Sequence, residues 1–343
     1  MIDLNTIWFL LVGVLIIGYA VLDGFDLGVG VIQLFTKDEN ERRININAIG
    51  PVWDGNEVWL LTGGGALFAA FPIVYATVFS GFYLAFMLLL TALIFRAVSF
   101  EFRKFSESPE AKKKWDIAFA LGSLVPALLY GVAIGNIMKG LPFEIVDGKI
   151  QSSITFVGLL NPYSIIVGLL SLLLFIMHGA IYMTLKSTND QQQKMNSLAN
   201  KLWMAVIGLY VIVTIATTFE ASHMFNGMLD NPLFWVLFIL MMVSAIYIPL
   251  GLKSQKYGLT FLSSSIMIAC MIGLFALSLF PRLVPSNIDF VNSSLTIYNA
   301  SSTPRTLETM LIIALIGVPI VLVYTIFVYR VFKGKVVINQ DSY

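Results

Sequence analysis

The chain has 343 residues, 58% of them hydrophobic and only 12% charged, with a mean hydropathy of +0.84 and a net charge of +1. A soluble globule carries about a quarter of charged residues, so this composition excludes a water-soluble enzyme or a nucleic-acid binder and places the chain in a bilayer. A single cysteine, Cys270, excludes an internal disulfide, a CxxC redox pair and an all-protein thiolate metal site. The apolar runs exceed the roughly 20 residues that carry a helix across hydrocarbon, and alternating barrel strands are absent. The expected class is an all-α polytopic membrane protein, a single transmembrane domain over residues 1–343.

No basic residue precedes the first apolar run, so no cleavable signal peptide is expected and the run stays as a helix. Nine spans are predicted, at residues 7–33, 52–71, 75–100, 115–138, 162–185, 202–219, 233–252, 259–281 and 307–331. Sixteen of the 21 Lys and Arg residues then fall on one side, after spans one, three, five and seven and in the tail. The other side holds Lys139, Lys149, Arg282 and Arg305, and Arg96 lies within a span. By the positive-inside rule the N-terminus is outside and the C-terminus cytoplasmic. Adding or removing one span would scramble this split.

Span one carries Asp23-Gly24-Phe25-Asp26-Leu27-Gly28-Val29-Gly30. Asp23 and Asp26, three apart, share a helical face, and Gly24 with Gly28 forms a small-xxx-small pattern that admits a second backbone. Carboxylates at this depth cost a few kcal/mol and face protein, a cavity or an ion pathway. Span two opens with Pro51-Val52-Trp53-Asp54-Gly55-Asn56-Glu57, where Asp54 and Glu57 again share a face. Span one ends where span two begins, so Asp23, Asp26, Asp54 and Glu57 are expected together near the cytoplasmic side. Crowded like charges repel, and such a group is expected to exchange protons. The competing structural reading makes these acids helix caps, or partners of Arg42, Arg43 or Arg96. Arg96, near the inner end of span three, either snorkels to the interface or pairs with the acids.

The two histidines, His178 and His223, fall toward opposite faces of the membrane, so they form no bis-histidine haem site. His178 reads as a hydrogen-bonded core residue. The hydroxyl-rich stretch at 293–302 reads as a polar surface segment on the outside.

The ordered set Gly24–Gly30, Glu41-Arg42-Arg43, Trp53–Leu60, Gly64-Gly65-Ala66-Leu67-Phe68-Ala69, Phe79–Tyr83, Phe95-Arg96, Gly135-Asn136, Leu160-Asn161-Pro162 and Ser294–Ala300 closely resembles subunit II of the cytochrome bd-type quinol oxidases. The resemblance implies a respiratory complex of the bacterial plasma membrane that oxidises quinol and reduces dioxygen to water. It implies that haem b and haem d belong to a haem-bearing subunit I, with none ligated by this chain. Subunit II would stabilise that partner and supply it with cytoplasmic protons, Asp54 matching the family's route acid and Asp26, Asp23 and Glu57 tuning or feeding it. A structural quinone in this subunit, lipid contacts and small accessory subunits are compatible with it. Two other readings of the acids stand beside this one: a proton-coupled secondary transporter, and a purely structural membrane subunit.

Overall fold

The computed structural model describes residues 3–338. Helix α1 (Leu4–Gln33) starts where the Asp3 carboxylate accepts the Thr6 N–H at 2.7 Å. A short amphipathic helix follows, α2 (Glu39–Ile49), capped by Asp38 and bearing Glu39 and Glu41 in its first turn, as the helix dipole favours. Helix α3 (Trp53–Ala70) comes next. It ends at Phe71, which Pro72 holds out of helical backbone. Then come α4 (Pro72–Gly81) and α5 (Tyr83–Phe105), separated by a break at Phe82.

Helix α6 (Pro109–Lys139) is capped by Ser108. A hairpin of β1 (Phe143–Val146) and β2 (Lys149–Ser152) and the single turn α7 (Phe156–Leu159) lead to α8 (Pro162–Lys186). Helix α9 (Asn189–Glu220), a 3-10 turn at Ser222–Phe225, α10 (Pro232–Lys253) and α11 (Tyr257–Leu279) follow. Strands β3 (Arg282–Val284) and β4 (Leu295–Thr296) precede the last helix, α12 (Pro304–Val331).

Among the described residues eight helices are long and apolar enough to cross a membrane: α1, α5, α6 and α8 to α12. The expected second span corresponds to α3, 18 residues long, whose Asp54, Asn56 and Glu57 leave it without a stretch as apolar as those within the eight. The expected span at 75–100 is not one helix. Residues up to Gly81 form the separate α4, and the long helix runs from Tyr83 to Phe105. The polar stretch Asp190–Lys194 forms the first turns of α9.

Helix α8 is the centre of the molecule, with 67% of its most apolar window buried, while none of the corresponding window of α12 is buried. Helix α1 packs on α8 with almost no side chain between them. A Cβ on Gly28 would collide with the Phe175 carbonyl, and one on Gly179 with the backbone of Gly28 and Val29. This is the close approach that the small-residue spacing implies. It holds the acid-bearing turn of α1 against the core.

The two long connections opposite the basic end clasp each other. Leu141 N–H donates to the Pro285 carbonyl at 2.9 Å, Asn287 N–H to Leu141 at 3.0 Å, and Ile145 N–H to Ser293 Oγ at 2.9 Å. Ser293, Ser294, Leu295, Ile297 and Ala300 are buried, so the stretch read as a polar surface segment is a packed clasp, its hydroxyls spent on backbone groups. Asn136 and Asn161 also serve the frame. Asn161 Oδ1 accepts from Ser164 N–H at 3.0 Å as the α8 cap, and its amide donates to Asn136 Oδ1 at 3.0 Å.

At the basic end a buried polar network ties α1, α2, α5, α6 and α9. Gln191 donates to Asn45 Oδ1 at 2.9 Å, Asn45 to Gln33 Oε1 at 3.0 Å, and Gln33 to Asp116 Oδ1 at 2.8 Å. Arg103 Nε reaches the same Asp116 oxygen at 2.7 Å, and Arg42 reaches its other oxygen at 3.3 Å. Asp116 is the hub. Asp116→Ala should cost about 3–5 kcal/mol, the usual effect of stranding buried charged partners, seen as a lower melting temperature of the purified protein.

Candidate functional site around Arg96

The site forms where α1, α3 and α5 meet. Asp23 and Asp26 are fully buried on α1, and Arg96 of α5 is 1% exposed. Arg96 Nη2 lies 3.1 Å from Asp23 Oδ1, while Nη1 donates to Glu57 Oε1. The guanidinium also lies 5.9 Å from the ring centroid of Trp53, a cation–π position that an arginine fork fills better than an ammonium. Gly122 of α6 lets α5 come close here, since a Cβ would press on the backbone at Ala92 and Arg96.

Beside this ion pair Asn56 bridges α3 to α1. Its Nδ2 donates to Asp26 Oδ2 at 2.6 Å and to the Leu22 carbonyl at 3.2 Å. Its Oδ1 accepts the hydroxyl of Tyr329 from α12 at 3.0 Å. Among the described residues, Asp26 Oδ1 and Asp23 Oδ2 are buried and have no hydrogen bond from the protein, and Asp23 Oδ1 has the ion pair with Arg96 but no aligned hydrogen bond. Buried acceptors of this kind are uncommon and call for water or a proton. Two carboxylates share one guanidinium and a third, Asp26, lies one helical turn from Asp23, so their protonation belongs to the cluster rather than to one residue.

Of the four acids expected together, Asp23, Asp26 and Glu57 converge on Arg96 and Asn56. Asp54 stands on the exposed side of the first turn of α3, in line with exposed Val58, Leu61 and Phe68. Arg96 pairs with the cluster rather than snorkelling away. Arg42 serves Asp116 instead.

The roles of Asn56 and Tyr329 are not visible in the sequence. An asparagine beside an acid is ordinary at a helix start, and a tyrosine near the end of a last span reads as an interfacial anchor. Only the return of α12 against α3 joins them. His178 has both ring nitrogens engaged, Nε2 donating to the Val21 carbonyl at 3.1 Å and Nδ1 meeting Ser264 Oγ at 2.7 Å. It is a core residue of the aromatic packing, stacked on Phe261 at 4.8 Å.

Replacing Arg96 by Met leaves Asp23 without its ion-pair partner and Glu57 without its donor. The protein should lose most of its folded yield, and Arg96→Lys, lacking the fork that spans both acids, should recover only part of it. Size-exclusion chromatography of the two variants measures this.

Comparison with known proteins places the chain. A family model described as cytochrome bd terminal oxidase subunit II matches residues 4–332. Cytochrome bd-I ubiquinol oxidase subunit 2 of Escherichia coli strain K12 is 37% identical, the match covering 97% of this chain and 95% of that protein. Cytochrome bd ubiquinol oxidase subunit 2 of Bacillus subtilis strain 168 is 38% identical, with 98% of each covered. In three dimensions the fold matches a chain in the structure of bd oxidase from Geobacillus thermodenitrificans with a TM-score of 0.79. That match has 16% identity and covers 96% of this chain and 98% of that one. With its multi-pass helical fold, the chain belongs to the cytochrome bd terminal oxidase subunit II family.

Proposed function

We propose that this subunit stabilises a haem-bearing subunit I and carries protons from the cytoplasmic face into the reduction of dioxygen to water. The observation that carries this reading is the cluster of buried Asp23 and Asp26 and half-buried Glu57 gathered at Arg96 and Asn56, next to an exposed carboxylate, Asp54, on an uncovered helix face. Reduction of dioxygen to water consumes a proton for each electron, so a complex of this kind needs a proton supply as well as an electron supply. The relatives named above are ubiquinol oxidase subunits. For this complex the electron donor is read as a quinol, oxidised in the partner.

The nine-span topology is part of the proposal. Helix α3 would be the ninth span. Its polar first turn is carried by the contacts of Asn56 with Asp26 and of Glu57 with Arg96, and the exposed side chains of Asp54, Leu61 and Phe68 recur every two turns as one stripe. Such a stripe is the face a second helix bundle would cover. The split of basic residues supports a cytoplasmic C-terminus. Protons then enter at the basic end, the coupled acids around Arg96 exchange them, and Asp54 passes them across the stripe to subunit I. Uptake from inside builds a potential without conformational pumping.

The transporter reading is left behind by family membership, and the structural reading is tested by mutation. Asp54→Asn should slow oxygen consumption by the purified complex about a hundredfold, the lower end for loss of a proton-transferring group, with haem content intact. Normal turnover would remove Asp54 from the route, and loss of haem would assign it to assembly.

A further inference from the structure

Among the described residues, the polar contacts that fasten the last helix lie toward its two ends. At the end opposite the basic side, Trp8 Nε1 donates to the Leu307 carbonyl at 3.0 Å, and Leu307 is buried. In between, an apolar cavity of about 440 Å³, bordered by Trp59, Ala66 and Gly317 among others, separates α12 from α1 and α3. At the basic end the chain closes again. Lys335 Nζ donates to the carbonyls of Thr184 and Ser187 at 2.8 and 2.7 Å, capping α8, while Lys186 Nζ donates to the Phe332 carbonyl at 2.6 Å, capping α12. Val336 N–H adds a bond to the Lys186 carbonyl at 2.8 Å. Cations at helix C-termini are favoured by the dipole and by the unpaired carbonyls there. The two lysines cap each other's helices.

This fastening seats Tyr329, in the last turn of α12, against the carboxylate cluster. Its ring meets Phe25 edge-on with centroids 6.5 Å apart, and Phe25 is stacked on Tyr182 at 4.0 Å. The Tyr329 hydroxyl donates to Asn56 Oδ1. An amide has one accepting and one donating end. Asn56 Oδ1 takes the tyrosine proton, while its NH₂ group is shared between Asp26 and the Leu22 carbonyl, which can only accept. Without that hydroxyl the oxygen loses its donor, and the amide is held less firmly in the orientation that donates to Asp26.

We propose that Tyr329 is a positioning residue for the acid cluster: seated by the reciprocal lysine caps of the C-terminal tail, it fixes the orientation of Asn56 and so sets the proton affinity of Asp26. This rests on the proton-route reading above. The charged and titratable groups that face Asp26 and the Tyr329 hydroxyl are Asp23 on α1, Glu57 on α3, Arg96 on α5 and Tyr182 on α8. None of them is removed by a change at Tyr329 or in the tail.

The test uses the purified complex carrying Tyr329→Phe, which keeps the ring and removes only the hydroxyl. Haem content should be unchanged, and the pH profile of oxygen uptake should move by roughly one unit, as expected when a hydrogen bond to an ionisable group changes partner. The carboxyl band that Asp26→Asn removes from the infrared difference spectrum should move with it. Lys335→Met, in the exposed tail, should move both readouts the same way by less, and it decides the matter if Tyr329→Phe fails to assemble. An unmoved profile and an unmoved band in these variants, while Asp26→Asn slows turnover, would overturn the positioning role and leave the proton route standing. Native turnover in Asp26→Asn would overturn the route instead, and the infrared band alone would then judge Tyr329.

Discussion

Arg96 is the residue on which the rest of the site depends. A buried guanidinium is tolerable only where carboxylates meet it, and the buried carboxylates of α1 are tolerable only where a cation or a donor meets them. Three helices are therefore committed to one arrangement: α1 brings Asp23, α3 brings Glu57, and α5 brings the arginine between them. The Gly28–Gly179 contact presses α1 onto α8 from behind, so the acids have no room to withdraw. Polarity that would destabilise an isolated helix instead fixes the register of α3 against α1.

Two polar systems share the basic half of the molecule and divide the work. The network through Asp116, Arg103, Gln33 and Asn45 is well paired, with each acid oxygen of Asp116 met by an arginine. The cluster around Arg96 is under-paired, with acids outnumbering the base and buried oxygens lacking donors. A fully satisfied network holds elements together, whereas a partly satisfied one retains capacity to take up protons. On this contrast the first is a fastening and the second is the better candidate for chemistry.

Much of this was legible in the residues. Helices, the acid pairs at three-residue spacing and the small residues of α1 follow from periodicity and cost, and the resemblance at Trp53–Leu60 named a family that the comparisons confirm. Other features needed three dimensions. The break at Phe82 has no proline to announce it, and the α2 helix is too polar to stand out in a hydropathy reading. The clasp at 282–302 looks like a surface loop because its hydroxyls bond backbone carbonyls and amides that no sequence pattern displays. Tyr329 lies 273 residues from Asn56, and nothing local distinguishes it from an interfacial tyrosine. Asp54 and Glu57, three residues apart on one helix, were expected on a common face. The structure turns Glu57 toward Arg96 and leaves Asp54 in the open, which suits a last acid before a partner.

The proposed role of the cluster as a proton supply is tested most directly by charge movement. In oriented vesicles carrying the complex, a single turnover with oxygen can be followed electrically, comparing the native protein with an Asp26→Asn/Asp54→Asn double variant of equal haem content. A proton route through these acids predicts that electron transfer proceeds while the accompanying uptake of charge from the basic side is lost or strongly slowed. Charge uptake of native size and rate in the double variant would contradict it.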